Sequence, residues 1–333
     1  MLRIIFILSL ALLVRLFLFY TNNSTLPIHT TSFNQELKLP IITSAKEKTS
    51  ESFRKTLPAE SSGLLLGILF GEKGSFDKEY LDALRRTGVL HVIAASGMNV
   101  SMVAGVALPV LVLLLKRSQA LIVSAILIII YCAFADFEES IVRASIMAAF
   151  AFGAGLFGRQ NTSLLALFFA VFTMVMWDPK IVESVGFQLS FAATSGIILL
   201  APIFRKFGNN FLLEDLSTTI SAQIATVPIL LFYFSTYSPI SILANLLILW
   251  TVPPLMILGL IALPLSLIAE VFAVPILWIA FPLLVYFKEV ILFLNKFATE
   301  FSTDSIPITM ILGYYFIVLA GIAAAHKKLK IRI

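Results

Sequence analysis

Long apolar runs, separated by short polar turns, recur along almost the whole of this 333-residue chain. Apolar residues make up 59% of the sequence and charged residues 13%, and a soluble domain of this length could not bury so many apolar side chains. The runs therefore predict an all-α, polytopic transmembrane helical bundle with about ten crossings. The predicted crossings are residues 1–20, 89–115, 119–135, 140–157, 163–177, 184–204, 216–235, 239–270, 275–297 and 306–325.

The chain divides into four predicted regions. Residues 1–20 are expected to form an uncleaved signal-anchor helix, because Arg15 interrupts the apolar core and no small-residue cleavage site follows. Residues 21–58, a long polar stretch, are expected to form an extramembrane loop. Residues 59–325 form the predicted membrane domain, and residues 326–333 form a basic cytoplasmic tail.

Two short segments open the membrane domain. The stretch SSGLLLGILFG at 61–71 is apolar but too short to cross a bilayer, so it predicts a short re-entrant or half-buried segment. The stretch SFDKEYLDALRRTG at 75–88 places Tyr80 and Leu84 on one helical face and charged residues elsewhere. It predicts an amphipathic helix that lies in the membrane interface.

The distribution of basic residues predicts on which side each turn lies. Lysine and arginine mark every second turn and the C-terminal tail, so these parts are expected to be cytoplasmic. The 21–58 loop, the amphipathic helix and the acidic turn at 136–139 then lie outside. For the tail to return to the cytoplasm, 239–270 must cross once, and its four prolines favour a broken helix.

The stretch RTGVLHVIAASGMNVSMVAG at 86–105 carries polar side chains inside an apolar run. An unpaired polar group loses its hydrogen bonds to water when it enters lipid, which costs roughly a few kcal/mol. On one continuous helix His91 and Asn99 would lie about 80° apart, with Ser96 close to Asn99. One broad face could then present all three to a hydrated cavity. The alternative for His91 is a neutral imidazole bonded to a neighbouring helix.

Arg143 lies near the outer end of its predicted helix. A guanidinium at depth costs at least about 2.5 kcal/mol on insertion scales, so it should pair or face water. One interpretation is an ion pair with Glu138 or Glu139, or a side chain that reaches the outer surface. The other, which we favour, is that Arg143 lines a hydrated path. Further polar candidates for this path are Gln188, Ser190, Gln223 and Asn245.

Several enzyme chemistries are disfavoured. The three histidines lie far apart, which argues against a Cys/His metal site, and GILFGEKGS at 67–75 lacks the Gly-Lys-Ser/Thr core of a phosphate loop. The stretch AASGM resembles the nucleophile turn of rhomboid proteases. On one helix, however, His91 would lie about 140° from Ser96 and could not serve as its base. The chain is therefore expected not to be an enzyme and to need no cofactor.

The sequence resembles the ComEC competence proteins. The matching elements are LRRTGVLHVIAASGMNVS, SIVRASIMAAF followed by GRQNTSLLALFFA, WDPKIVESVGFQLSFAATSGI, and SAQIATVPILLFYF followed by ILANLL. They occur in the order typical of the family and cover residues 85–270 approximately. The resemblance implies a channel that conducts single-stranded DNA across the cytoplasmic membrane during natural transformation.

The resemblance also implies which positions matter. The recurrent polar positions of the family fall on His91, Ser96, Arg143, Asp178, Gln188, Ser190, Gln223 and Asn245. The family usually ends its first motif with Ser-Gly-Leu-His, whereas this chain has SGMN, so Asn99 stands where a second histidine is expected. Asparagine forms hydrogen bonds but cannot become a cation, which argues against a proton-linked role there. Full-length relatives usually carry an outer oligonucleotide-binding barrel and a nuclease domain, so this chain is expected to be the channel module alone.

The resulting hypothesis is a DNA channel whose main internal phosphate contact is Arg143. Neutral donors are expected from His91, Asn99, Gln188 and Gln223. Arg85 and Arg86 are expected on the outside, where they either collect the incoming strand or contact lipid headgroups. The implied partners are single-stranded DNA, membrane lipid, a cytoplasmic ATPase and an outer DNA receptor or nuclease, and the sequence leaves homo-oligomerisation open. The runner-up is a secondary transporter for a small polar or anionic solute, which the prolines and buried amides would also suit.

Overall fold

The computed structural model describes residues 2–22, 40–72, 76–93, 96–158, 162–207, 211–299, 301–302 and 307–329. Within them almost the whole chain is α-helical, which confirms the all-α prediction. The helices are α1 (Leu2–Asn22), α2 (Pro40–Thr56), α3 (Ala59–Phe70), α4 (Lys78–Arg86), α5 (Leu90–Ile93), α6 (Gly97–Leu114), α7 (Arg117–Phe134), α8 (Glu139–Leu156), α9 (Ser163–Trp177), α10 (Val185–Phe204), α11 (Phe211–Phe234), α12 (Ser241–Ile248), α13 (Val252–Ile268), α14 (Glu270–Asn295) and α15 (Ile308–Leu329). The 3₁₀ turns are Pro179–Glu183, Arg205–Phe207 and Leu249–Thr251, and two short antiparallel strands are β1 (Thr236–Tyr237) and β2 (Phe301–Ser302).

Eight segments of the described chain are long and apolar enough to cross a membrane, which confirms the prediction of a polytopic bundle. They are Gly97–Leu114, Arg117–Phe134, Glu139–Leu156, Val185–Phe204, Leu213–Phe234, Ser241–Ile268, Glu270–Asn295 and Ile308–Lys328. The shorter apolar helix α9 has 15 residues, so it is about 22 Å long and shorter than a typical hydrocarbon core. The chain is a multi-pass membrane protein.

The N-terminal helix lies where the sequence predicts one. α1 packs against α9, and the Tyr20 hydroxyl donates a hydrogen bond to Glu183 Oε1 at 2.8 Å. No observation tests whether this helix acts as a signal anchor, so that role stays a prediction.

The short apolar stretch at 61–71 forms most of α3, a helix of 12 residues of which ten are buried. It ends at Gly71, which has a positive φ of 76° and donates its N–H to Gly67 O. The helix packs closely on α13, because a Cβ on Gly259 would lie 2.6 Å from Leu69. A segment too short to cross a bilayer is therefore held inside the bundle.

The amphipathic pattern at 75–88 forms α4. Tyr80, Ala83 and Leu84 are buried on one face, whereas Arg85 and Arg86 are exposed. Burial raises the pKa of the Tyr80 hydroxyl, so the buried face stays uncharged. The structure confirms the amphipathic helix, and its place in the membrane interface stays a prediction.

The predicted 21–58 loop contains a helix that the sequence analysis did not identify. Residues 23–39 lie outside the described residues, and residues 40–56 form α2, which packs against α3 and α13. Its buried face consists mostly of small polar side chains, with Phe53 among them. A hydropathy pattern does not reveal such a face, because serine and threonine are read as solvent-exposed.

Contacts of α2 correct one part of the predicted topology. Lys46 Nζ lies 2.5 Å from Asp136 in the turn after α7, and the Ser266 hydroxyl near the end of α13 donates to Thr49 Oγ1 at 3.3 Å. The turn after α7 and the turn after α13 therefore lie at the same end of the bundle. The five crossings predicted between these two turns would have placed them at opposite ends, so that combination of crossings does not fit the contacts. The single crossing by 239–270 stays a prediction, and its broken helix is confirmed by the 3₁₀ turn that separates α12 from α13.

Replacing Gly196 with alanine should lower the free energy of unfolding by about 1–3 kcal/mol. The added Cβ would lie 2.5 Å from Ser221 O and 2.6 Å from Ala225 Cβ, so α10 and α11 would have to move apart. Gly153→Ala is the matched control, since nothing lies within 4 Å of its added Cβ. Thermal unfolding of both variants in one detergent measures the difference, and equal midpoints would contradict this close helix contact.

Candidate functional site

The polar stretch at 86–105 is interrupted, not one helix as the sequence analysis assumed. α5 ends at Ile93, and α6 begins at Gly97 with the extended residue Ser96 as its N-cap. The break invalidates the helical angles given above for His91, Ser96 and Asn99. Residues 94 and 95, which lie between the two helices in the sequence, are outside the described residues.

Asn99 and Tyr131 close the C-terminal end of α3. Asn99 Nδ2 donates to Ile68 O at 2.7 Å and to the Tyr131 hydroxyl at 3.0 Å, and that hydroxyl donates to Leu69 O at 2.8 Å. Ser96 Oγ donates to Asn99 Oδ1 at 3.3 Å. The last carbonyls of a helix lack partners within it, so these side chains satisfy them. Asn99 is only 2% exposed, so its hydrogen bonds lie inside the bundle.

A second set of polar residues surrounds Arg143 and joins three helices. The guanidinium donates through Nη1 to Ser190 Oγ on α10. Ser190 Oγ lies 3.0 Å from Ser140 Oγ, which also accepts a hydrogen bond from Gly97 N at 3.1 Å. We call Gly97, Ser140, Arg143 and Ser190 the Arg143 group. It connects the first turns of α6 and α8 with α10.

The structure contradicts the ion pair considered for Arg143. Its side chain bonds to a hydroxyl, and no carboxylate among the described residues forms a salt bridge with it. Glu139, one turn earlier on α8, instead accepts a hydrogen bond from Ser184 Oγ at 2.5 Å. Arg143 is only 6% exposed, so it does not reach the outer surface either. Its Nε is buried and has no hydrogen-bond partner among the residues that the structure describes.

A third set of polar residues lies around Gln223 on α11. Gln223 Nε2 donates to Ser241 Oγ at 3.0 Å, and its Oε1 accepts from the Tyr237 hydroxyl at 2.8 Å. Gly88 has a φ of +71°, and a Cβ there would lie 2.6 Å from Ser241 Cβ. His91 is exposed and its Nδ1 lies 3.1 Å from Gly88 O. We call these five residues the Gln223 group.

The two groups lie at different depths along α10. Gly196 packs directly on Ser221 and its neighbours in α11, so Gln223 lies close to the level of Gly196. Ser190 is six residues earlier, which corresponds to about 9 Å along the helix axis. The segment 88–97 starts in the Gln223 group and ends in the Arg143 group. It therefore connects them.

The remaining predicted positions do not join either group. Gln188 Nε2 donates to Val182 O at 2.9 Å, and Asp178 Oδ1 accepts from Lys180 N at 2.9 Å. Asn245 is buried and its Oδ1 has no partner. The described hydrogen bonds thus do not bring Arg143, Gln188 and Gln223 into one network.

Some residues of the site were missed by the sequence analysis. Ser140, Tyr131, Tyr237 and Ser241 each make a contact that connects separate helices. Ser140 alone had a sequence signal, because it precedes Arg143 by three residues and so lies beside it on a helix. Tyr131 lies 32 residues from Asn99, whereas Tyr237 and Ser241 belong to the segment that follows α11 and meet Gln223 because that segment turns back along the helix.

The elements that carry these groups contact one another in a series. α6 contacts α8, α8 contacts α10, α10 contacts α11, and α11 contacts α12. α12 contacts α14, α14 contacts α4, and α4 contacts α5. The polar side chains described above thus lie on a series of contacting helices.

The fold and the site define a polytopic helical membrane protein with hydrogen-bonded polar groups between its helices. A family model described as Competence protein matches residues 68–328. The match covers well over half of the chain, which therefore belongs to the competence protein family. The prediction that the chain is not an enzyme stays a prediction.

Two curated relatives are similar over a part of their length. ComE operon protein 3 of Bacillus subtilis is 27% identical over 228 residues, which is 68% of this chain and 29% of that protein. An uncharacterized protein of Aquifex aeolicus is 28% identical over 209 residues, which is 62% of this chain and 49% of that protein. The chain thus matches at most about half the length of these relatives. No solved structure matches it.

Tyr131→Phe should lower the free energy of unfolding by about 1–3 kcal/mol, because Leu69 O and one Asn99 N–H would lose a buried partner. Tyr20→Phe is the control, since its hydroxyl donates to Glu183 Oε1 at 2.8 Å in an exposed position near the end of α1. Its loss should cost at most about 1 kcal/mol, because water can replace it. Thermal unfolding of the purified proteins compares the two, and a larger loss in the control would contradict the capping role.

Proposed function

We propose that the chain forms a membrane channel that takes up single-stranded DNA across the cytoplasmic membrane during natural transformation. The observation that carries the proposal is the series of contacting helices that bears both polar groups, in a chain of the competence family. The resemblance of its motifs to ComEC proteins supports the same cargo. The strand would pass along the segment 88–97, which touches both groups.

Arg143 is proposed as the main phosphate contact. Each nucleotide carries a negative charge whatever its base, so a cation on the path binds DNA without reading its sequence. In the structure the guanidinium donates to a neutral hydroxyl, Ser190 Oγ. A hydrogen bond between two charged groups is roughly twice as strong as a neutral one, so a phosphate oxygen can displace this serine. Binding of the strand would therefore rearrange the Arg143 group.

The Gln223 group is proposed as a neutral part of the path. It offers an amide, two hydroxyls and the exposed imidazole of His91. A conduit must bind its cargo strongly enough to admit it and weakly enough to release it. One cation followed about 9 Å further by neutral donors meets both requirements. Asn99 and Gln188 receive no role in this path, because their amides are engaged with backbone carbonyls.

Arg85 and Arg86 are proposed as the collecting point for the incoming strand. Both are exposed and lie at the end of α4, immediately before the segment 88–97. Arg86 Nη2 also donates to Ala298 O at 3.3 Å, which holds that part of α4 against the end of α14. The energy for transport would come from a cytoplasmic ATPase, and an outer receptor or nuclease would deliver the strand.

Arg143→Met should reduce transformation of a competent strain that depends on this chain by at least about tenfold, because the main phosphate contact is lost. Arg205→Met is the matched control. Arg205 pairs with Glu214 at 2.9 Å in the turn between α10 and α11, away from both groups. Transformant counts are compared at equal protein levels in the membrane, and unchanged uptake in Arg143→Met would remove this residue from the mechanism.

A second candidate function is secondary transport of a small polar or anionic solute. The interruptions between α5 and α6 and between α12 and α13 favour it, because broken helices commonly form solute sites in transporters. Uptake of labelled solutes and of labelled single-stranded DNA by one deletion strain separates the two functions. Loss of solute uptake with normal DNA uptake would favour the transporter.

A further inference from the structure

The Arg143 group contains hydrogen-bond donors in excess of acceptors. Arg143 Nη1 donates to Ser190 Oγ, and Gly97 N donates to Ser140 Oγ. The two hydroxyls share one hydrogen bond at 3.0 Å. Whichever serine donates in that bond, the hydrogen of the other has no acceptor among the described residues. Arg143 Nε–H also has no acceptor among the described residues, although only 6% of Arg143 is exposed.

Two helix N-termini near Arg143 differ in what they face. A helix N-terminus carries a partial positive charge and favours an anion. The N-terminus of α10 faces a carboxylate. Glu139 Oε2 accepts a hydrogen bond from Ser184 Oγ and lies 2.7 Å from the position of a Cβ on Gly186. The N-terminus of α6 has a guanidinium instead, since Arg143 Nη2 lies 3.0 Å from the position of a Cβ on Gly97. Two positive groups thus meet there.

Such an arrangement is costly without a negative partner. A buried cation whose partner is missing destabilises a protein, and the N-terminus of α6 adds to this cost. Glu139 does not compensate Arg143, because its carboxylate is bonded to Ser184. Gly97 permits the approach, since a side chain there would press on Arg143 Nη2 and on Ala144 Cβ.

We infer that the Arg143 group is a binding site for one phosphate-type oxyanion. Arg143 Nε and Nη2 and the spare hydroxyl hydrogen of Ser140 or Ser190 are its donors, and the α6 N-terminus adds positive charge. The oxyanion is either a phosphate of the DNA strand or free inorganic phosphate. The inference rests on the proposed function only for the natural source of the anion.

Inorganic phosphate is the probe for the first experiment. The purified full chain in lipid nanodiscs is titrated with sodium phosphate, with sodium gluconate keeping the ionic strength constant, and the unfolding midpoint is measured. At a phosphate concentration about ten times the dissociation constant the midpoint should rise by about 4 °C, because a ligand that binds only the folded state stabilises it. Arg143→Met should abolish the rise. An equal rise in both proteins, or a rise in neither, overturns the inference.

A pair of serine variants covers the case in which Arg143→Met does not fold. Ser140→Ala keeps the charge and removes a donor, so the phosphate concentration that produces a given midpoint rise should increase about fivefold. Ser124→Ala is the control, because Ser124 is buried and its hydroxyl has no hydrogen-bond partner among the described residues. It should bind phosphate like the wild type. Equal phosphate dependence in Ser140→Ala and wild type counts against the site.

A thymidine oligonucleotide distinguishes the two sources of the anion. If it produces an Arg143-dependent midpoint rise and weakens the effect of added phosphate, then DNA phosphates occupy the site. If phosphate acts through Arg143 but the oligonucleotide does not compete, the site binds free phosphate. That second result supports the inference and counts against the proposed function.

Discussion

Inside a bilayer a buried polar group can be satisfied only by protein or by water that the protein admits, and this constraint shapes the whole site. The end of α3 lies within the bundle, and Asn99 and Tyr131 therefore supply hydrogen bonds to its last carbonyls. Gln223 finds a serine and a tyrosine from the segment that follows α11. Arg143 donates to the Ser190 hydroxyl, and among the described residues no carboxylate pairs with it.

Interrupted helices make these arrangements accessible. The break between α5 and α6 brings a helix N-terminus beside Arg143, and the break between α12 and α13 accompanies the contact of Ser241 with Gln223. Continuous helices would have kept these backbone ends at the membrane surfaces. Broken helices place partial charges at membrane depth without adding charged side chains, which would be more costly there. In the proposed channel, one cation next to neutral hydrogen-bond donors would bind a polyanion without holding it permanently.

Local patterns in the sequence were sufficient for much of this description. The apolar runs predicted the helices, the amphipathic spacing predicted α4, and the prolines predicted the break in 239–270. Arg143 and Gln223 stood out because such residues are rare in apolar runs. The assumption of one helix through 86–105 failed, since a short extended step at Ser96 leaves hydropathy unchanged. Tyr131 was missed, because a tyrosine in an apolar run reads as packing.

By itself the sequence determined that this chain is a multi-pass helical protein of the competence family, because hydropathy and motifs depend only on residues that are neighbours in the sequence. Only the tertiary structure decided which polar groups share a hydrogen bond. Ser190 lies 47 residues from Arg143, and Tyr131 lies 32 residues from Asn99. Whether such pairs meet depends on helix rotation and spacing within a few tenths of an ångström, and a hydrogen bond is lost beyond that range.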